Sequence, residues 1–264
     1  MNRVNRVSRV NRPTSAALAA LSLLSLTALT ACGGDSEPDP ATDKPKTSAS
    51  ESAAKAPSLA EHLAATIVTK TDTDGFEVEE PDDEYAFAKS TDEVTVDKPV
   101  CAPLAYAMNQ LPLGAPEADL TRLTSGPTDA PTKLTKGITF TYVTLASYAP
   151  GKARSAFADA RKAVDACGDG FTAKANGNES PYDSVTAEKV TPAGDESLGY
   201  TSTMTFRGVQ HVLHGEFVRS GDVLATYFSV DGMAIANGRP SDVKLSPTVV
   251  KAQNAKLEAA GAES

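Results

Sequence analysis

The sequence predicts an α+β fold, one domain in which helices pack on a mainly antiparallel β-sheet. Two observations carry this prediction. Between Gly151 and Cys167, apolar residues recur three or four positions apart, as in a helix with one buried face. After Cys167, apolar and polar residues alternate over several segments that end in tight turns, as in antiparallel strands with one wetter face. Helices and antiparallel strands that follow one another in this way form layers around a shared core.

Alternation and turn positions predict the strands Phe76–Val78, Tyr85–Ala88, Tyr182–Val190, Leu198–Phe206, Val209–Arg219 and Val223–Val230. A further strand starts at Ile138, where apolar residues first alternate and then occupy both faces. That pattern indicates either a bulge or a strand covered on both sides. The segment from Gly114 to Thr135 is rich in Pro, Thr and Asp and is predicted to be a loop.

Three further helices are predicted from their start signals. Ser58 and Glu61 have the spacing of a capping box, so a helix opens the domain at residue 58. A short helix starts near Cys101 and ends before Pro112. Ser246 as N-cap and Pro247 at the first helical position start the last helix.

The N-terminus is predicted to be a signal peptide. Residues 1–14 hold four arginines and no acid, and residues 16–29 are only Ala, Leu, Ser and Thr. This basic region followed by an apolar region is typical of an export signal. The alternative, an uncleaved membrane anchor, needs about 20 apolar residues, more than the stretch provides.

The end of this segment, Leu29-Thr30-Ala31-Cys32, resembles the lipobox of bacterial lipoproteins. The resemblance implies removal of residues 1–31, a diacylglyceryl group with palmitate-like chains on the Cys32 thiol, and attachment to the outer face of the cell membrane. Each buried methylene contributes about 0.8 kcal/mol, so two or three chains anchor durably. An ordinary secreted protein is the alternative. Removing four arginines would change the net charge from −9 to −13.

Residues 32–57 are predicted to be a disordered tether, and residues 58–264 the folded extracellular domain. Between Gly33 and Pro57 the only apolar side chains are alanines, which cannot form a core. All eight Phe and all seven Tyr of the chain lie beyond the tether.

Three cysteines remain to be assigned in an oxidising compartment. With Cys32 lipidated, Cys101 and Cys167 are predicted to form a disulfide, and two free thiols are the alternative. Closing a loop of this length stabilises by roughly 4 kcal/mol in the chain-entropy model.

The order of elements resembles a known family. It includes the capped helix, the segment Pro99-Val-Cys-Ala-Pro-Leu104, the strand Val143–Tyr148, the helix ending in Cys167, the turn Gly194-Asp195-Glu196 and the hairpin at Val218–Gly221. This order is similar to the extracellular sensor domain of the mycobacterial receptor kinase PknH and to actinobacterial lipoproteins that share it. The resemblance implies a non-catalytic domain with a ligand-binding cleft on its sheet. The resemblance also implies a difference: the extracellular domain of the kinase has two disulfides, whereas this chain has cysteines for one.

The acidic charge disfavours nucleic acid as a partner, and no nucleotide, metal or cofactor motif is present in the sequence. His211 and His214 would point to opposite faces of one strand, which prevents chelation of one ion. His62 and the acids of residues 79–84 are interpreted as solvated.

The function predicted from these features is a lipid-anchored, non-catalytic ligand-binding or sensor-like lipoprotein without cofactor or metal. Its ligand would be a small molecule or an envelope protein. Weak candidates for contact with the ligand are Tyr142, Tyr200, Tyr227 and His211. One alternative is a protein-interaction module that supports envelope assembly or signalling. An envelope hydrolase is the other alternative, which a buried Ser or Asp beside His211 or His214 would favour.

Overall fold

A large β-sheet with helices on both faces forms the domain. The computed structural model describes residues 57–82, 84, 86–127 and 138–262. The predicted signal peptide, Cys32 and all of the tether before Pro57 lie outside the described residues. The described residues belong to one compact unit. Its α+β class confirms the fold class predicted from the sequence.

The strands are β1 Glu77–Glu79, β2 Thr95–Val96, β3 Ala118–Pro127, β4 Ile138–Ser147, β5 Phe171–Ala175, β6 Asn178–Tyr182, β7 Ser184–Glu188, β8 Glu196–Phe206, β9 Val209–Ser220, β10 Val223–Val230 and β11 Ser241–Asp242. The main sheet has the order β1-β3-β4-β10-β9-β8-β7, and every neighbouring pair is antiparallel. β11 pairs with β9 in parallel. A smaller antiparallel sheet has the order β2-β5-β6.

The helices are α1 Leu59–Thr66, α2 Ala102–Ala107, α3 Lys152–Ala166, α4 Gly232–Ala236 and α5 Pro247–Ala262. The capping box at α1 is confirmed: the Glu61 N–H donates to Ser58 Oγ at 3.3 Å, and the Ser58 N–H donates to Glu61 Oε2 at 2.7 Å. Among the described residues, no helix is both long and apolar enough to cross a membrane.

Two apolar clusters cover the two faces of the main sheet. One cluster joins α2 and α3 to one face, here named the α3 face, through residues such as Leu104, Phe157 and Phe217. The other joins α1 and α5 to the opposite face, the α5 face, through residues such as Leu63 and Leu257. β4 contributes to both clusters, so it is the strand covered on both sides that the sequence allowed.

The Cys101–Cys167 disulfide predicted from the sequence is present, with 6.0 Å between the two Cα atoms. Cys101 directly precedes α2 and Cys167 caps the C-terminal end of α3. Both cysteines are fully buried, so the bridge fastens the two helices to each other inside the core.

Three sequence predictions need correction. The predicted loop Gly114–Thr135 is wrong over residues 118–127, which form β3 with mostly half-buried side chains and no clear alternation; residues 128–135 lie outside the described residues. The predicted strand Tyr182–Val190 is two pieces, because β6 ends at Tyr182 in the small sheet and β7 starts in the main sheet. Of the predicted strand Tyr85–Ala88, the described residues 86–88 form no strand.

Candidate functional site

The main cleft of the described residues lies beside β3. It has a volume of about 600 Å³, and its walls are described residues of three segments, 80–91, 109–116 and 119–122. The first segment follows β1, the second follows α2, and the third is the N-terminal half of β3. One strand and two connecting segments therefore meet around one space.

Pro81 explains why a cleft opens at this edge. β1 pairs with β3 through Glu77–Ser125 and Glu79–Leu123, so continued pairing would place Pro81 opposite Thr121. Proline has no N–H for the ladder and is confined to strand edges and ends. Among the described residues, no strand therefore pairs with Ala118–Arg122 on the side opposite β4.

Two residues of opposite charge, Asp119 and Arg122, belong to this part of β3. The carboxylate of Asp119 has no hydrogen bond or ion pair with another described residue, and partial loss of solvent raises its pKa. Arg122 Nη1 donates to the Thr121 carbonyl at 2.9 Å and lies 3.4 Å from Glu80 Oε1. The cleft thus offers one unpaired acid and one basic group held by a single main-chain oxygen and a long ion pair.

The wall after α2 has a strained backbone. Gln110 has φ of 62°, in the left-handed region that residues other than glycine rarely adopt. Its neighbour Asn109 donates to the Ala105 carbonyl at 2.7 Å and to the Tyr182 hydroxyl at 3.3 Å, which ties the wall to α2 and to β6. Backbone strain of this kind persists only where the surrounding structure holds it in place, and it is concentrated at active sites and ligand-binding sites.

The four ligand candidates named from the sequence are not brought together. Tyr142 and Tyr200 lie on the α3 face, where Tyr142 stacks on Phe228 with ring centroids 6.3 Å apart. Tyr227 lies on the α5 face and donates to Asn254 of α5 at 2.5 Å. Tyr200 and Tyr227 are fully buried, and none of the three lines the cleft beside β3.

The two histidines of β9 lie on opposite faces, as the strand period predicts. His211 is fully buried, with Nδ1 2.9 Å from Ser241 Oγ and no partner for Nε2. His214 lies between two carboxylates, with Nδ1 2.7 Å from Glu188 and Nε2 2.7 Å from Asp242. In the described part of the chain, no group of three or more His, Cys, Asp or Glu residues could hold a metal ion.

A buried acid lies next to this histidine on the α5 face. Glu216 is 4% exposed, and its Oε1 has no hydrogen-bond partner among the described residues. Burial, and after it the charge of Glu188, raises the pKa of Glu216 to about 7. Glu216 faces Tyr227 across the β9–β10 pair.

A second cleft, of about 430 Å³, lies on the outer side of α3. Its walls include Arg154, Arg161 and Lys162, with Asp165 and Glu196 as the acids. The Arg161 guanidinium lies 5.2 Å from the centroid of Phe157 and 3.5 Å from Glu196, so part of the positive charge is already balanced.

Sequence reasoning missed the residues of the main cleft. Asp119 and Arg122 fall in the segment that was predicted to be a loop. The signal that could have found them is the run Leu120-Thr-Arg-Leu-Thr124, whose apolar and β-branched residues favour a strand. Nothing local in the sequence marks Gln110.

The fold is that of an α+β domain with a mainly antiparallel main sheet. The extracellular domain of PknH from Mycobacterium tuberculosis is similar in structure, at 12% sequence identity and a TM-score of 0.48, over 79% of this chain and 98% of that chain. A putative uncharacterised protein of Mycobacterium smegmatis, the Rv0999 ortholog, is similar at 12% identity and a TM-score of 0.33, over 78% of this chain and 95% of that chain. The resemblance to the PknH domain expected from the sequence is therefore found as a likeness in structure. No protein-family model and no curated protein matches the chain.

Proposed function

We propose that this chain is a lipid-anchored, extracytoplasmic ligand-binding protein of sensor-like type, without catalytic activity, and that the cleft beside β3 is its binding site. One observation carries the proposal. The cleft combines the carboxylate of Asp119, the guanidinium of Arg122 and one side of β3 in a space of about 600 Å³. Among the described residues, Asp119 has no ion-pair partner and no strand pairs with this side of Ala118–Arg122. Ligand sites in proteins occupy 300–1,000 Å³, roughly, and orient the ligand with a few polar groups.

The contacts inside the cleft support binding more than chemistry. Asp119 and Arg122 are three positions apart on β3. Because successive side chains of a strand point to opposite faces, these two side chains project to opposite faces of the sheet. A ligand can contact both at once only by lying along the strand edge. Neither histidine of β9 lines the cleft.

The location outside the cytoplasm is supported by two features. The Cys101–Cys167 bridge is typical of an oxidising compartment, because cytoplasmic reductants keep thiols reduced. The basic and apolar segments before Cys32 have the order of an export signal. The lipid on Cys32 follows from the lipobox-like residues 29–32 and is part of the proposal.

Native mass spectrometry of the full chain, extracted gently from membranes of producing cells, tests the binding site. We expect a retained molecule that is lost from Asp119→Asn and from Arg122→Gln. Lys162→Gln and Asp165→Asn change charges in the cleft on α3 and serve as matched controls that keep the molecule. Retention by all four variants would place the ligand elsewhere, and no retained molecule across several growth conditions would contradict the proposal.

A hydrolase is the second candidate, because His211 Nδ1 lies 2.9 Å from Ser241 Oγ. A histidine that accepts the serine proton would make a nucleophile of the hydroxyl. No acid among the described residues orients His211, since its Nε2 has no partner and Asp242 contacts His214 instead. Hydrolysis of a p-nitrophenyl ester that disappears in Ser241→Ala would favour this candidate; equal background rates in both proteins would exclude it.

A further inference from the structure

We infer that the ligand of the cleft is an extended peptide that adds to the free edge of β3 as an extra antiparallel or parallel strand and carries basic side chains. The inference rests on the proposed binding site and names the class of its ligand. It combines three observations: the direction of main-chain groups of β3 that pair with no described strand, the Arg122 side chain that donates to one of them, and the acidic surroundings.

The hydrogen bonds of β4 fix the direction of the main-chain groups of β3. On the β10 side of β4, the Tyr148 N–H donates to the Asp222 carbonyl at 2.9 Å, so even-numbered β4 residues bond to β10. On the β3 side, the Ser147 carbonyl accepts from the Glu117 N–H at 2.8 Å, but Glu117 precedes β3, whose first pair is Ala118 with Ser147. Main-chain groups of alternate residues point to the same side in an antiparallel pair. Odd-numbered β4 residues therefore bond to β3, where their partners are even-numbered.

It follows that the main-chain N–H and C=O of Asp119 and Thr121 point away from β4 and into the cleft. These two residues offer the alternating donors and acceptors that an added strand uses. The free edge from Ala118 to Arg122 is about 17 Å long at roughly 3.4 Å per residue. A peptide of about five residues matches that length.

Arg122 occupies one of these acceptor positions. Its Nη1 donates to the Thr121 carbonyl at 2.9 Å, in the place where an added strand would donate an N–H. Proteins protect free strand edges with charged side chains in this way. A peptide N–H would replace the guanidinium, and Arg122 would remain close to Glu80, now 3.4 Å away.

The surroundings favour basic peptides. The cleft is lined by the carboxylates of Glu80, Asp82 and Asp119, against the two cations Lys89 and Arg122. Asp119 has no cationic partner among the described residues, so a lysine of the added strand would give it one. Because side chains of a strand alternate between its two sides, lysine at every second position presents its charge to one side of the cleft.

The test uses the full chain, isotope-labelled, and three acetylated and amidated pentapeptides, Val-Lys-Val-Lys-Val, Val-Thr-Val-Thr-Val and Val-Glu-Val-Glu-Val. We expect the lysine peptide to bind at least tenfold more tightly than the glutamate peptide and to protect the Asp119 and Thr121 amides from hydrogen exchange. A lysine peptide that is N-methylated at alternate residues, so that its N–H groups toward β3 are removed, should lose at least tenfold in affinity.

Variants separate the peptide class from the site itself. Asp119→Asn should remove most of the preference for lysine over threonine, whereas Asp165→Asn in the cleft on α3 should leave it unchanged. Equal affinity for the N-methylated peptide, or no binding of any of the three peptides, would overturn the inference. If the native mass spectra still showed a molecule lost from Asp119→Asn, the proposed site would stand without the peptide; if they did not, both would fail.

Discussion

The ring of Tyr200 on β8 occupies the space in which a side chain of Gly215 on β9 would lie. A Cβ built on Gly215 would be 2.3 Å from Tyr200 Cζ, closer than atoms of folded proteins approach. The ring stacks on Phe217, with centroids 5.2 Å apart and an interplanar angle of 19°. Glycine at 215 is therefore required by the packing of its neighbour, whose ring is fully buried in the apolar cluster of the α3 face.

Gly215→Ala is expected to destabilise the domain by about 1–3 kcal/mol, because the Tyr200 ring must leave its position in a well-packed core. Urea unfolding followed by tyrosine fluorescence or circular dichroism measures the change. Tyr200→Phe is the matched control: the buried Tyr200 hydroxyl has no hydrogen-bond partner among the described residues, so its removal should leave stability equal or higher. A fully stable Gly215→Ala protein would contradict the position of this ring.

Glu216 is expected to make stability depend on pH. Its pKa is raised from the model-compound value of 4.5 to about 7 in the folded state, chiefly by burial. The folded protein therefore holds a proton that the unfolded chain releases between these two values. The resulting stability is present in full below pH 4.5 and is lost as the pH rises through about 7, with a limit on the order of 3 kcal/mol.

Glu216→Gln should remove this contribution to the pH dependence, because glutamine stays neutral throughout. Urea midpoints measured from pH 4 to pH 9 would show the variant gaining on the parent protein as the pH rises. Glu258→Gln, an exposed position on α5, is the control and should keep the parent profile. Parallel profiles for Glu216→Gln and the parent protein would mean that Glu216 does not take up the proton.

The disulfide is expected to contribute roughly 4 kcal/mol to stability in the chain-entropy model. The double variant Cys101→Ala with Cys167→Ala should unfold at correspondingly lower urea. Mass analysis of the parent protein after reduction should show a gain of two hydrogens, and alkylation of Cys101 and Cys167 only after reduction. Alkylation of either cysteine without a reductant would contradict the bridge.

Cys32→Ser is expected to release the protein from membranes into the soluble fraction, since the proposed lipid is attached to that thiol. Fractionation of cells followed by immunodetection measures the release. The double variant Cys101→Ser with Cys167→Ser is the control, because it removes the two other cysteines and leaves Cys32 as the anchor. Membrane retention of the Cys32→Ser protein would contradict the lipid anchor.

Local signals in the sequence predicted most of the long strands and four of the five described helices, the short helix α4 being missed. Ser58 with Glu61 and Ser246 with Pro247 start helices through contacts within one turn, so no distant residue is needed to recognise them. His211 and His214 were placed on opposite faces by the period of a strand alone. The Cys101–Cys167 pair followed from the number of cysteines and their compartment.

The cleft could not be predicted in the same way, because it depends on pairing between distant segments. Asp119 and Arg122 become cleft residues only because β1, some forty residues earlier, stops pairing with β3. β3 itself was missed since its side chains are half-buried and give no regular alternation. Tyr200 and Tyr227, by contrast, were named as ligand candidates because they are aromatic. In the structure both rings are fully buried and pack in the core.

The position of Pro81 has a consequence for how this protein could change by mutation. Almost any other residue at 81 would bring a main-chain N–H opposite Thr121, two positions beyond Leu123, where the ladder of β1 and β3 now ends. β1 could then lengthen along β3 and close the cleft from within the chain. A single substitution at Pro81 would therefore be enough to let β1 cover the part of β3 at which we propose that a ligand binds.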